Sequence, residues 1–186
     1  MIKSGSHFVI SIFFAMLKLI KGCSVLAYVG NNLKSGQKEG NFMELKMGNE
    51  NFQRAASCYV RMEVFVLERG IPLAEEFDAQ DTPERFYAVI YDEDLPVATG
   101  RIFIEDEKTI RPTRIATLKE YRKQNLGAKI MTAIENYGVE NGYVQSLVHA
   151  EQTAVGFYQK LGYTICSDIY YEDGVPCQSL EKRLVK

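Results

Sequence analysis

Apolar residues recur at two different periods along this chain, and the stretch where one period gives way to the other is its most informative part. Ile115, Ala116, Thr117 and Leu118 form a short, β-branched run that predicts a buried strand. Downstream, Leu126, Ile130, Ile134 and Tyr137 recur at spacings of four, four and three, one face of a helix that Gly142 would stop. Between them lies the polar loop Arg122-Lys-Gln-Asn-Leu-Gly127-Ala128. A strand, a tight loop and a helix N-terminus concentrate unpaired amide N–H groups and the positive end of a helix dipole. The pattern therefore predicts an anion site, with phosphate its natural guest.

The same reading gives alternating strands and helices elsewhere. Residues 43–47 predict a strand. Residues 52–68 predict a helix with the stripe Phe52, Ala55, Tyr59, Met62 and Val66, capped by Asn49 or Asn51 and closed by Arg69-Gly70 ahead of Pro72. Residues 72–85 read as a loop carrying Glu75, Glu76, Asp78, Asp81 and Glu84, either a solvated surface or an attractor for a cationic substrate. Residues 86–91 and 97–105 predict strands joined by a turn through Pro96, and 144–149 a strand followed by a helix at 153–161. Residues 163–171 and 175–184 read as a closing hairpin across Glu172-Asp-Gly. A right-handed β-α-β crossover through the helix at 126–141 would make its two flanking strands parallel.

Residues 1–42 follow a different pattern. Residues 8–17 are apolar, with Lys3 before them and Lys18 and Lys21 after. That run is too short for a bilayer, which needs roughly 20 residues, but it has signal-peptide proportions. Ile20-Lys-Gly-Cys23 has the outline of a lipoprotein site, spoiled by its lysine, and residues 34–41 read as a polar linker. Lys38-Glu39-Gly40 can be encoded by a ribosome-binding sequence just upstream of the Met43 codon. Residues 1–42 are therefore expected to be an N-terminal extension, an over-extended start or a tail, preceding one domain at 43–186.

Composition narrows the function classes. Apolar residues at 46% and charged ones at 25% suit a globular domain with its own core. A formal charge of −2 argues against a nucleic-acid partner or a polybasic membrane contact. Cys23, Cys58, Cys166 and Cys177 form no Cys-x-x-Cys pair, and with only His7 and His149 beside them no metal site is expected. Reduced thiols in a cytoplasmic protein are the simplest reading. Cys177 and His149 would make a thiol nucleophile only if the fold brought them into contact.

Three segments, in order, resemble the GNAT acetyltransferase superfamily. Arg122-x-x-Asn125-x-Gly127 is similar to its acyl-CoA-binding motif, Gln/Arg-x-x-Gly-x-Gly/Ala, with the first glycine replaced. The run Ala154-x-x-Phe157-Tyr158-x-x-Leu161-Gly162-Tyr163 is more specific. Upstream, Arg61-Met-Glu-Val-Phe-Val-Leu-Glu-Arg-Gly-Ile71-Pro, then Glu76-Phe-Asp and Pro96-Val-Ala-Thr-Gly-Arg101, resemble the small single-domain bacterial members of ElaA-like type. Together they cover most of residues 43–186.

The resemblance implies an α/β (α+β) GNAT fold: a mixed, mostly antiparallel sheet whose parallel central strands splay apart, flanked by helices. It implies an N-acetyltransferase that moves the acetyl group of acetyl-CoA, without a metal, to a primary amine of a small molecule or peptide. Attack would be direct, within a ternary complex. A homodimer is left open, and no nucleic-acid or membrane partner is expected. In the family's manner, the backbone of Lys123, Gln124, Asn125, Leu126, Gly127 and Ala128 would cradle the pyrophosphate. Ile115, Ala116 and Thr117 would pair with the pantetheine arm, Glu151 and Phe157 would complete the cofactor site, and Tyr158 would serve the thioester sulfur. Asn125 can stand for glycine because it tolerates a left-handed backbone. Thr113, Glu151 and Cys177 also depart from residues common in the family, leaving the general base unassigned. A second reading is therefore a catalytically impaired acyl-CoA-binding or regulatory module.

Overall fold

The structure is a computed structural model that describes residues 43–185. The apolar run, the linker and the start-site reading made for residues 1–42 lie outside the described residues.

Eight strands form one sheet among the described residues: β1 (Met43–Gly48), β2 (Tyr87–Asp92), β3 (Leu95–Ile104), β4 (Thr109–Thr117), β5 (Gln145–Glu151), β6 (Thr164–Ile165), β7 (Tyr170–Glu172) and β8 (Val175–Arg183). Their order is β1-β2-β3-β4-β5-β8-β6, with β7 on β8. Every pairing is antiparallel except β4 with β5. Those two join only at Thr109–Gln145 and Ile110–Ser146, and beyond that point they separate. The expected splay is present.

Helices α1 (Asn51–Arg61), α2 (Leu73–Glu76), α3 (Leu126–Glu140) and α4 (Val155–Lys160) flank the sheet. Side chains of β2 alternate between the two faces: Tyr87, Val89 and Tyr91 pack with Ala56 of α1, while Ala88 and Ile90 join the cluster holding Ile130 and Ile134 of α3. With helices on both sides, residues 87–91 are buried throughout.

Several expectations are corrected. The buried face of α1 is Gln53, Ala56, Ser57, Val60 and Arg61, continued by Val64 and Phe65, whereas Phe52 and Tyr59 are 56% and 41% exposed. Its polar members can be buried because each has a partner: Tyr91 Oη donates to Gln53 Oε1 at 2.6 Å and Thr99 Oγ1 to Ser57 Oγ at 2.9 Å. Neither Asn49 nor Asn51 caps α1, which starts after Glu50 without a side-chain cap. From Met62 to Glu68 the helix widens into a π-helix before Gly70, at φ 75°, turns the chain out.

The acidic loop is not simply solvated surface, because the Glu76 side chain is 2% exposed and that of Asp81 11%. The strand expected at 115–118 begins at Thr109 and passes through Pro112. Ile102 N donates to Phe86 O on the β2 side, so its cross-strand partner Pro112 turns its nitrogen toward β5. There β4 has lost its neighbour, and a missing donor costs nothing. Finally, the strand expected over 163–171 survives only as β6 and β7. The turn into β8 uses Asp173 at φ 49° and Gly174 at φ 78°, a pair suited to a tight hairpin.

Candidate active site

The site begins at a β-bulge. Thr99 pairs with Ala116, but Arg101 pairs with Thr113, so Arg114 and Ile115 together face Gly100. Arg114 takes φ 54°, the left-handed region. Gly100 is required by this packing: a Cβ there would meet Ile130, Ile115 and Ile134 at 2.6, 2.7 and 2.9 Å. Past the bulge, β4 carries Ile115, Ala116 and Thr117 along the gap that β5 has left.

The chain then turns through the loop before α3, with Lys123 at φ 65° and Asn125 at φ 62° and ψ 18°. Lys129 N makes the first helical bond, to Asn125 O. The amides of residues 123–128 donate to no protein acceptor among the described residues. Six N–H groups therefore stand at the positive end of a helix of 15 residues.

A cavity of about 540 Å³ fills the gap. Of the residues expected to hold a cofactor, Ile115, Ala116, Thr117, Lys123, Asn125, Leu126, Gly127, Ala128 and Phe157 line it. Gln124 and Glu151 do not. A Cβ on Gly127 would approach the Phe157 ring at 3.4 Å, so this glycine keeps room between helix and ring. Sequence reading missed the facing wall of Val64, Phe65, Arg69 and Tyr121. The matched segment from Arg61 to Pro72 was the available signal for three of these. Arg122 also lines the cavity, donating to Glu68 at 2.8 and 2.5 Å and through Nε to Thr117 O at 3.1 Å.

A second cavity, about 430 Å³, has Arg69 in common with the first. Glu75, Glu76, Glu151, Glu172, Asp173, His149, Arg114 and Cys177 contribute to its walls. Arg69 Nη2 donates to Glu151 Oε1 at 2.5 Å, an ion pair that links the two spaces. Cys177 and His149 both line this cavity but make no nucleophilic couple. His149 Nδ1 faces Arg111 at 3.4 Å and Glu172 at 3.6 Å, while burial and the charges of Glu172 and Glu151 push the Cys177 thiol pKa up. Thr113 is engaged structurally: its Oγ1 accepts from Arg101 Nε at 3.1 Å and donates to Arg101 O at 3.3 Å.

Tyr158 lies outside both linings. Its ring packs with Ile115 against the cluster of Met131, Val148, Ala150, Tyr163 and Leu180, 5.0 Å from the Phe157 ring and 5.8 Å from that of Tyr163. Its hydroxyl has no hydrogen-bond partner among the described residues. Burial, then the negative charge of Glu151, push its pKa up to about 12.

Behind the bulge lies a buried ion cluster. Arg61, fully buried, donates to Glu76 Oε1 at 2.5 Å, to Glu76 O at 2.7 Å, and to both oxygens of Asp81 at 2.6 and 2.8 Å. Arg101 reaches Asp81 at 3.0 Å, Tyr87 Oη donates to Asp81 at 2.9 Å, and Arg114 Nε meets Glu76 Oε2 at 3.0 Å.

The sequence model of the acetyltransferase (GNAT) domain matches residues 49–184. The chain belongs to the GNAT acetyltransferases. A relative from Streptococcus pyogenes, described as an uncharacterized acetyltransferase in the arcA 3′ region, is 43% identical to this GNAT domain over 114 residues, 61% of this chain and 78% of the relative. The crystal structure of a candidate N-acetyltransferase from Lactobacillus plantarum has a TM-score of 0.75 at 36% identity, covering 78% of this chain and all of that one. Escherichia coli ElaA superposes with a TM-score of 0.66 over 76% of this chain and 99% of its own, and at 21% identity it carries the fold alone. Among the described residues of this acetyltransferase, no helix is long and apolar enough to cross a membrane, and no three His, Cys, Asp or Glu side chains converge as metal ligands.

Proposed function

We propose that this acetyltransferase moves an acetyl group from acetyl-CoA to a primary amine by direct attack within a ternary complex. The carrying observation is the row of six unpartnered amides at residues 123–128, five of which belong to residues lining the gap between β4 and β5. These donors suit a pyrophosphate, and Arg122 adds a fork for a phosphate oxygen once it leaves Glu68. The free edge of β4 at Ile115, Ala116 and Thr117 suits an amide-containing arm as an added strand, and its N–H groups suit the acyl oxygen.

Acetyl-CoA supplies an activated thioester; the protein supplies position and polarity. The unpartnered hydroxyl of Tyr158 is the donor nearest in kind to a departing thiolate, and it stays protonated at all ordinary pH values. The amine enters through the second cavity, whose carboxylates attract an ammonium and, directly or through water, take its proton. The acceptor is a small molecule or a peptide, residues 43–186 are the catalytic unit, and the cytoplasm is where acetyl-CoA would reach it.

The test is a screen of amines, peptides and aminoglycosides with acetyl-CoA, detecting free thiol. Amine-dependent thiol release is expected. Acetyl-CoA binding without release across the panel would instead favour a binding or regulatory module.

A further inference from the structure

We infer that Glu76 and Arg114 form a positioning device for the donor strand: the buried ion cluster holds the β4 bulge in its left-handed conformation and so sets how Ile115, Ala116 and Thr117 face the gap. The inference rests on the reading of those three residues as the donor-binding edge.

The need for such a device follows from the sheet. β4 loses β5 after Ile110, and the bulge then interrupts its ladder to β3 just before the residues that matter. A strand with one free edge and a broken register has little of its own to fix its course. Arginine, moreover, has no preference for φ 54°. Something outside the sheet must therefore hold Arg114.

Glu76 does so from α2. It is 2% exposed, and its two oxygens are divided between Arg61 of α1 and Arg114 of the bulge. Arg61 is itself locked by Asp81. From the other side of the bulge, Arg101 of β3 ties Asp81 to Thr113 of β4. Asp78 completes the group, 3.4 Å from Arg101 and 3.8 Å from Arg114. Three cations face three carboxylates, so charge balances within the group. Thr113, just before the bulge, and Arg114, its first residue, are thus tied to one segment between α1 and β2. Arg114 is the member whose loss would leave the rest standing: its side chain is 30% exposed, and the contacts of Arg61 with Glu76 and Asp81 do not involve it.

The experiment uses the full chain with Arg114→Asn and Arg114→Gly, which accept positive φ but cannot reach Glu76, and Arg114→Lys, which keeps the charge. Amide hydrogen exchange at residues 113–118, thermal midpoint and acetyl-CoA affinity by calorimetry are measured. Arg114→Asn and Arg114→Gly should exchange faster at 115–117 and bind acetyl-CoA about tenfold more weakly, with a nearly unchanged midpoint, because a pre-organised edge has been loosened. Arg114→Lys should recover part of both. Unchanged exchange at 115–117, exchange raised evenly over the sheet, or failure of both Asn and Gly variants to fold would each overturn the inference. So would a higher KM for the amine with donor affinity intact, which would make Arg114 an acceptor contact. Wild-type protein that binds no acetyl-CoA would sink the proposed function, while the exchange result would still report on the tether.

Discussion

Removing one oxygen atom from Tyr158 separates a catalytic hydroxyl from a packing ring. Tyr158→Phe keeps the ring against Met131, Val148 and Tyr163. The lost hydroxyl bonds to no protein group among the described residues, so folding should be unaffected. The tyrosine pKa is pushed up to about 12 by burial and by Glu151, whereas a thiol titrates near ~8.5. Full proton transfer to the departing sulfur is then uphill by about 3.5 units, or about 5 kcal/mol at 1.36 kcal/mol per unit. In the proposed reaction Tyr158 would therefore act as a hydrogen-bond donor to the thiolate rather than as a full acid, which argues for the lower end of the roughly 10²–10⁴-fold range of such assistance. Single-turnover rates at saturating donor should fall about 10²-fold, with acetyl-CoA affinity and thermal midpoint unchanged. Because the raised pKa keeps the phenol protonated until strongly alkaline pH, the ratio of wild-type to variant rates should stay flat through the neutral and mildly alkaline range. Wild-type rates in the variant, measured where chemistry limits turnover, would make Tyr158 a packing residue and refute the reasoning.

At the anion loop, Asn125→Gly should keep or improve acetyl-CoA affinity, since φ 62° suits glycine, whereas Asn125→Val should weaken it. Calorimetry giving one affinity for all three proteins would detach the loop from the donor. Gly127→Glu should be more damaging, placing bulk and negative charge beside Phe157 at the helix N-terminus; intact binding there would defeat the phosphate reading. Burial raises the Asp81 pKa, but hydrogen bonds and charge from Arg61, then Arg101, outweigh it and hold the pKa at about 2. A depressed carboxylate contributes stability that is complete above its unfolded value near ~3.9 and is lost as pH falls toward about 2. Asp81→Asn should therefore cost about 3–5 kcal/mol at neutral pH and flatten that acid limb in urea titrations; unaltered stability at pH 7 would count against the cluster.

The strand, loop and helix around the site were legible because a change of hydrophobic period, a glycine and a left-handed-tolerant asparagine are all local signals. The face of α1 was not. Counting apolar residues selected Phe52 and Tyr59, while the interior took Gln53, Ser57 and Arg61, whose partners Tyr91, Thr99, Glu76 and Asp81 lie far along the chain. A buried polar residue looks like a surface one until its partner is located. The same long range hid the carboxylates of the acidic loop. The start of β4 at Thr109 was missed, because nothing local reveals that the Pro112 nitrogen faces a gap. Arg69 and Phe65 belong to the cavity through how the helix end meets β4, and their trace in the sequence is the matched segment from Arg61 to Pro72.

If acetyl-CoA binds as proposed, the parting of β4 and β5 makes it a member of the fold. A pantetheine arm, carrying two amide groups on a narrow chain, would occupy the slot as a missing strand, so the protein without it is an unfinished sheet. Binding to the folded state alone then adds to stability by mass action, about 2.7 kcal/mol when free donor stands at about 100 times its dissociation constant. Against a total margin of roughly 5–15 kcal/mol, that is a large share. Molecules lacking donor would open more often and be degraded sooner, and the amount of protein would rise and fall with the supply of acetyl-CoA.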